Sequence, residues 1–566
     1  MKTSFNLKIG GQAGEGIKVS GLILARSLTR LGFSVFGYSE YPSLVRGGHN
    51  TYQLHAGIDQ VYSQIKDVDI LIALNQETID LHQDELNPES LVLYDPGEFK
   101  LPKKKLKGKY LAIPLTKLAM SAGGKAIMAN MVSIAATLTL LDLPTTTLNE
   151  IIKKEFLRKS LAIVELNQKV VQTGKDYVNK HFLNHKLLVK KPSKNKKRLV
   201  LTGNEAIGLG AIAGGLKFYA AYPMTPSTSI LHFLAAKAKV ADILVKHTED
   251  EISAVNMAIG ASFAGVRAMT ATSGGGLCLM AEGISLSGIS ETPLVVVNSM
   301  RPGPALGMPT WTGQGDLLFV LHLGHDEFPR IVLAPGNSQE AFDLTKMALT
   351  YAETYQLPVF ILVDKYLSES DYSPLAFMAH HQHQRTGLVK NQVGLDFKRY
   401  LLTKNGLSLR TVPGQTGGIY CCNSYEHDEV GLGTETSDIR KAMMDKRMAK
   451  LDLIQASISD QPVFGPKKAK LSLISWGSNQ APILQALTKL TQVNFLHLNF
   501  LWPFPEKQVS QFINLAEKVV CLEANSTGQL GLLIRKQTGI KLDTILKYDG
   551  RPFYPEEIIS QVKKFL

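Results

Sequence analysis

The chain has 566 residues, 45% of them hydrophobic and 20% charged, which describes a soluble globular protein of roughly three or four domains. The formal net charge is +13, but the lysines gather in two loops, 103–109 and 186–198, without interleaved aromatics, so nucleic acid is not an expected partner. No apolar run reaches the ~20 residues of a membrane span, no signal-peptide pattern opens the sequence, and Cys278, Cys421, Cys422 and Cys521 lack zinc or iron–sulfur spacing; the expectation is a cytoplasmic chain that binds no membrane and carries no metal.

In chain order, residues 3–9 (TSFNLKI) alternate as a strand and end in a Gly turn, Gly10, Gly11, Gln12, Ala13, Gly14, Glu15, Gly16, before an amphipathic helix over about 17–31. The spacing is not the G-x-G-x-x-G of a dinucleotide fold. Two readings remain: a phosphate approached by backbone N–H groups at a helix N-terminus, or a tight strand-to-helix turn. A second Gly loop, from Arg46 to Asn50, precedes the strand TYQLHAG. This first unit closes near residue 185, and the basic run 186–198 reads as a linker. From RLVLTG onward, helices (EAIGLGAIAGGLKF, EISAVNMAIGASFAG) alternate with apolar strands, the pattern of a doubly wound, largely parallel α/β sheet. It extends over 199–375. Residues 376–468 are irregular and charged, and a last α/β unit occupies 469–566.

Three short segments close strands of the middle unit: Tyr222-Pro223-Met224-Thr225-Pro226-Ser227, Thr248-Glu249-Asp250-Glu251, and Arg301-Pro302-Gly303-Pro304. Ligands of open α/β sheets lie beyond the carboxyl ends of the strands, so a hydroxyl, an acid and an arginine converge on one rim, a set suited to a small carboxylate and an organic cofactor. Each has a plainer reading. Thr248 and Glu251 have capping-box spacing, Thr225-Pro226 suits the N-cap and first position of a helix, and Arg301 opens a long loop where a surface arginine is ordinary. His427 and Asp428, near Cys421-Cys422, lack a paired ligand set and read as solvated loop residues.

Taken together, YPMTPSTS, EDEISAVNMAIGASFAGVRAMTATSGGG, RPGPALGMPT, WGSN, LWPFP, EANSTGQL and YDGRPFYPEEI, with GGQAGEGIKVSG and VRGGHN near the start, resemble the 2-oxoacid:acceptor (ferredoxin) oxidoreductases over nearly the whole chain. The match is to their alpha subunit with an N-terminal gamma domain. The resemblance implies an α/β fold of gamma, thiamine-diphosphate pyrimidine-binding and transketolase C-terminal-like domains. It implies oxidative decarboxylation of a 2-oxoacid of the 2-oxoglutarate or pyruvate type, with acyl transfer to coenzyme A and electrons to ferredoxin. It places Glu251 against the aminopyrimidine, with Thr225 and Arg301 holding the substrate carboxylate. Tyr222, Pro223, Ser273 and Gly274 would line the cofactor, and Gly11, Gly14 and Gly16 would serve coenzyme A.

The departures from the family pattern are Ala305-Leu306 in place of Ser-Thr, Trp311 where a basic residue is common, and Gly275 in place of proline. The chain also has no GDG-plus-Asn motif for a Mg²⁺–diphosphate site. Mg²⁺ and an iron–sulfur cluster are therefore expected on a beta subunit, in an (alpha–beta)₂ assembly that is inactive without it. The competing classes are a non-catalytic scaffold of the same fold and a nucleotide-dependent dehydrogenase using the first Gly turn.

Overall fold

A computed structural model describes residues 1–43, 47–101, 106–157, 159–193, 197–378, 385–389 and 391–566; Arg46, Lys103, Lys104, Lys105 and residues 194–196 lie outside this set. The described residues build three sheets, each covered by helices. The middle sheet positions the site. Its strands run in the order Phe500–Trp502, Ile331–Leu333, Pro358–Asp364, Leu294–Met300, Ala268–Thr272, Phe218–Ala221, Leu244–His247. All neighbours are parallel except Phe500–Trp502. Leu294–Met300 and Pro358–Asp364 are buried at every position, which is why LVVVNSM and PVFILVD are apolar without alternation. From Phe218–Ala221 the chain moves outward to Leu244–His247 and then returns to the other side at Ala268–Thr272. The order thus reverses beside Phe218–Ala221, where a crevice opens beyond the strand ends.

The first sheet has the order Lys109–Ala112, Leu86–Tyr94, Val68–Ala73, Ser4–Gln12, His49–Gly57, Ser34–Glu40, Asp371–Tyr372, Leu201–Thr202. Its first four strands are parallel and the rest pair antiparallel. The third sheet, Val463–Phe464, Val493–Leu498, Leu471–Trp476, Val519–Glu523, Asp543–Leu546, is parallel except at Val463–Phe464. The units interlock. Asp371–Tyr372 and Leu201–Thr202 complete the first sheet, and Phe500–Trp502 completes the middle one.

Two connecting segments are tied down at particular residues. Within the basic run, Lys2 N donates to Leu188 O (3.0 Å), Lys190 N donates to Lys2 O (2.8 Å), and Val189 is buried. In the irregular stretch, His427 is buried with its ring centroid 4.0 Å from that of Tyr400, because an imidazole buries well against an aromatic face. That stretch also contains the helices Ser437–Met448 and Lys450–Gln455, anchored by Lys446 and Lys450 on the buried Glu291 at 2.5 and 2.6 Å.

At the joint of the first sheet with the middle unit, Tyr52 Oη donates to Asp371 Oδ2 (2.8 Å), both side chains buried. Burial pushes the Asp371 carboxyl up to about 6. The native state therefore keeps a proton that the unfolded chain releases near pH 4, and stability is lost as pH rises from there through about 6. Asp371→Asn removes this dependence and preserves an acceptor for Tyr52. The expected outcome, from thermal unfolding at pH 4 and pH 7.5, is a variant whose advantage over wild type grows with pH, by at most about 3 kcal/mol.

Candidate functional site

The turn after Phe218–Ala221 carries Tyr222, Pro223 and Thr225, and its Thr225–Pro226 peptide is cis. Thr225 is not the helix cap that Thr-Pro suggests. The following helix is Thr228–Ala241 with Ser227 at the N-cap position. Ser227 Oγ donates to Met224 O (2.7 Å), and buried Asn204 donates to Pro226 O and Ser229 Oγ, both 2.8 Å. The turn is thus held from two sides, and it leaves Tyr222 part exposed, its ring 6.5 Å from that of His247.

The next strand end delivers Glu251, and the capping box expected from Thr248 and Glu251 is not formed. Asp250 is the N-cap of the helix Glu251–Phe263, accepting from Ser253 N at 2.7 Å, while the Thr248 hydroxyl donates to Asp250 O (2.9 Å). Relieved of capping, Glu251 turns inward. It is 3% exposed, and its Oε1 is buried without a hydrogen-bond partner. Burial raises its pKa; its own backbone N–H opposes this, and the Asp250 charge adds to it. The Glu251 carboxylate packs on Gly276, where a Cβ would lie 2.5 Å from Glu251 Oε1 and 2.1 Å from Thr272 Oγ1. This space requirement accounts for glycine at the last position of TSGGG, and Gly276 was not among the residues singled out by sequence.

Arg301 closes the rim, following directly on Leu294–Met300, with its Nη1 donating to Thr225 O at 2.7 Å. Burial draws its pKa below the ordinary value. Met224 Sδ reaches Thr272 Oγ1 at 3.8 Å, linking this turn to the neighbouring strand end. Ser273 is fully buried with an unpartnered hydroxyl. A Cβ at Gly274 would lie 2.6 Å from Asp316 Oδ2, and that carboxylate also accepts from Asn298 Nδ2 (3.0 Å), leaving Asn298 Oδ1 buried and unpartnered. Asp316 was not among the site residues singled out by sequence, although the Gln314-Gly315-Asp316-Leu317 stretch that closes the Arg301 loop is itself family-like. Leu306, which stands where the family pattern has threonine, is 74% exposed at the loop tip.

Thus Thr225, Glu251, Ser273, Gly274 and Arg301 come to the ends of four adjacent strands, and three buried polar atoms there (Glu251 Oε1, Ser273 Oγ, Asn298 Oδ1) have no partner. The 810 Å³ cavity lies elsewhere, between Ile58–Tyr62, Lys190 and Asn337; the rim is an open shelf. Gly11, Gly14 and Gly16 belong to the other sheet. There the Glu15 carboxylate accepts from Gln12 N (2.6 Å), Ala13 N donates to Gly48 O, and Glu15 N donates to Gln12 O. A cavity of about 250 Å³ beside this turn is lined by Glu15, Asp95 and Glu98. Three N–H groups of the turn are therefore engaged internally and its surroundings are acidic. Among the described residues no group of three or more His, Cys, Asp or Glu side chains could hold a metal ion, and no single helix is long and apolar enough to cross a membrane.

Capping and the buried acid separate cleanly by mutation. Asp250→Ala should lower the stability of the purified chain by about 1 kcal/mol in thermal unfolding. Glu251→Gln, which removes no bond, should leave it within about 0.5 kcal/mol.

Residues 209–446 match the model of the thiamine-diphosphate-binding domain of pyruvate flavodoxin/ferredoxin oxidoreductases, and residues 6–177 match the pyruvate ferredoxin/flavodoxin oxidoreductase domain. Subunit alpha of 2-oxoacid:ferredoxin oxidoreductase 2 from Aeropyrum pernix is 33% identical over 99% of this chain and 97% of its own length. The alpha subunit of a Sulfolobus sp enzyme of the same name is 31% identical over 99% and 96%. Among solved structures, the 2-oxoglutarate:ferredoxin oxidoreductase from Magnetococcus marinus, with 2-oxoglutarate, coenzyme A and succinyl-CoA bound, superposes with a TM-score of 0.94 at 31% identity, covering all of both chains. With its strand-end shelf inside the thiamine-diphosphate-binding region and relatives alike from end to end, this chain belongs to the alpha subunits of the 2-oxoacid:ferredoxin oxidoreductases.

Proposed function

We propose that this chain contributes the pyrimidine side of a thiamine-diphosphate site and the carboxylate clamp for a 2-oxoacid of the 2-oxoglutarate or pyruvate type. The observation that carries the reading is Glu251: a buried carboxyl with a raised pKa and one unpartnered oxygen, at the switch point of a parallel sheet. The residues fit the cofactor. The unpartnered oxygen of Glu251 suits a ring nitrogen that shares a proton, Ser273 Oγ and Asn298 Oδ1 offer further polar contacts, and Tyr222 and Pro223 follow the adjacent strand end. When bound, thiamine diphosphate supplies the electron sink for decarboxylation.

The work of the chain's own side chains follows from their surroundings. Glu251 holds or releases a proton at Oε1, and its raised pKa brings that exchange closer to neutral pH. Arg301, fixed through Thr225 O, presents its remaining N–H groups to a carboxylate, and the Thr225 hydroxyl lies on the same turn. The acyl group would pass to coenzyme A and the electrons to ferredoxin. The ligands bound to the Magnetococcus marinus enzyme support the coenzyme A part and make 2-oxoglutarate the first substrate to test. Gly14 and Gly16 remain the parts of the first Gly turn that could face coenzyme A, since neighbouring N–H groups are engaged.

A beta subunit would complete the site, bringing the Mg²⁺–diphosphate contacts and the cluster, in an (alpha–beta)₂ assembly. The alpha naming of the relatives supports this, as does the surface around the shelf. Ile252 and Met257 on the Glu251–Phe263 helix, and Leu279, Leu306 and Met308 on segments that follow the neighbouring strands, are exposed apolar side chains, of the kind a partner chain covers.

The chain purified alone should show no 2-oxoacid-dependent viologen reduction, and activity should appear with the beta subunit. In that complex Glu251→Gln should lower turnover by roughly 10²–10⁴, whereas Asp250→Ala, which removes only the cap, should leave it within a few fold. Equal losses in the two variants would assign the effect to the helix end. Arg301→Lys retains charge but not the planar fork. It should raise KM for pyruvate and 2-oxoglutarate about tenfold, equivalent to about 1.4 kcal/mol, with kcat little changed; an unaltered KM would place the clamp elsewhere.

A further inference from the structure

Loop 301–316, which begins at Arg301, is gripped near its far end by a turn of the C-terminal unit. Thr312 N donates to Gly550 O (3.0 Å), and the next residue, Arg551, lays its guanidinium over the ring of Trp311, 3.0 Å from the centroid. The turn is itself stiffened, because Arg551 N donates to Asp549 Oδ1 (2.9 Å), whose other oxygen takes Lys547 Nζ (2.9 Å). On its other side Arg551 Nε lies 3.7 Å from Glu40 Oε1, the last residue of the Ser34–Glu40 strand in the first sheet. One guanidinium therefore touches the N-terminal unit, the C-terminal unit and the loop that carries Arg301. Arginine suits this arrangement: its plane stacks on an indole while its edge faces a carboxylate, which an ammonium cannot do at once.

A second connection runs parallel to the first and is buried. Lys365 Nζ donates to Ser39 O, one residue before Glu40, and Lys365 follows Asp364, which accepts from Gln314 Nε2 (3.0 Å). The Arg551 path is instead partly open to solvent: the Arg551 and Glu40 side chains are 37% and 24% exposed. The strand bearing Glu40 leads through Tyr41 toward Gly48, whose carbonyl accepts from Ala13 in the first Gly turn.

We propose that Arg551 is a positioning residue for the reaction: through Trp311 it holds the Arg301 loop in its substrate-receiving arrangement, and Glu40 of the N-terminal unit sets how firmly it does so. The inference rests on the reading of loop 301–316 as the carrier of the substrate clamp. It makes Trp311, which stands where a basic residue is common in the family, the receptor for a cation supplied from 240 positions downstream.

The test has two arms. In the alpha–beta complex with saturating coenzyme A, Arg551→Ala and Arg551→Lys should each raise KM for 2-oxoglutarate about fivefold to tenfold with kcat within threefold, because lysine keeps the charge but loses the stack. Glu40→Gln should raise KM twofold to threefold, and Arg551→Ala with Glu40→Gln should match Arg551→Ala alone, since Glu40 acts through Arg551. On the full chain alone, limited chymotrypsin cleavage within 301–316, where Leu306 and Met308 are exposed, should be about tenfold faster in Arg551→Ala. A residue that only stabilised the C-terminal unit would lower the melting temperature and the yield of active complex while leaving KM and loop cleavage unchanged. That result, or a double variant equal to the product of the single effects, would overturn the proposal. If Arg551→Ala does not fold, Arg551→Lys and Glu40→Gln carry the same comparisons. A wild-type complex without 2-oxoacid turnover would refute the functional reading, and the cleavage arm would still decide the role of Arg551.

Discussion

The far end of the loop that carries Arg301 is tied to two units by one buried amide. Gln314 Nε2 donates to Asp364 Oδ2 (3.0 Å), while its Oε1 accepts from Asn479 Nδ2 (2.8 Å) and Ala524 N (3.4 Å), and its own N–H donates to Ala524 O (2.8 Å). Asp364 ends a strand of the middle sheet; Asn479 and Ala524 follow strands of the third. A side-chain amide offers both donors and acceptors, so one residue satisfies groups from both units in a place water does not reach. Shifting the loop's far end would leave several of these groups unpaired, at about 1–3 kcal/mol each. The near end is the strand terminus itself. Between two such anchors the loop has freedom only at its tip, around Leu306.

The shelf above this anchor is defined as much by bonds left unmade as by those made. An isolated chain that buries Glu251 Oε1, Ser273 Oγ and Asn298 Oδ1 without partners sacrifices stability at all three. At the ends of adjacent strands beside the sheet's switch point, these three losses are intelligible when another molecule supplies the missing partners. The same accounting explains why Asp250, not Glu251, takes the cap: the helix end is satisfied by its neighbour, and the more deeply placed carboxyl stays available.

Much of this was legible from residue order alone. Thr225, Glu251 and Arg301 each follow an apolar run within a few positions, and strand ends in a parallel sheet all face one way, so their convergence needed no long-range information. The plainer capping reading of Thr248 and Glu251 fails for a local reason. Thr-x-x-Glu has the right spacing, but which residue turns into the helix is settled by backbone dihedrals, and Asp250 with φ −157° already occupies the cap. The bonding roles of Gln314 and Asp316 were not readable, because the partners of Gln314 sit 50 to 210 residues away, and the orphaned Asn298 carries no sequence signature at all. His427 was taken for a solvated residue because burial by one aromatic face, Tyr400, leaves no periodicity to read. Strands of two and three residues, Asp371–Tyr372, Leu201–Thr202 and Phe500–Trp502, are too short to announce which sheet they join.

Those short strands also set a timetable for synthesis. Ser34–Glu40 finds its outer neighbour, Asp371–Tyr372, only after the ribosome has added the whole middle unit; Val35 N and its partner Ser373 Oγ are 338 residues apart. At translation rates of roughly 5–20 residues per second, the first sheet waits tens of seconds with one edge unpaired. An unpaired edge is a template for the wrong strand. The nascent N-terminal unit thus carries an open edge through the synthesis of the middle unit, and its exposure ends when two residues of a distant segment arrive.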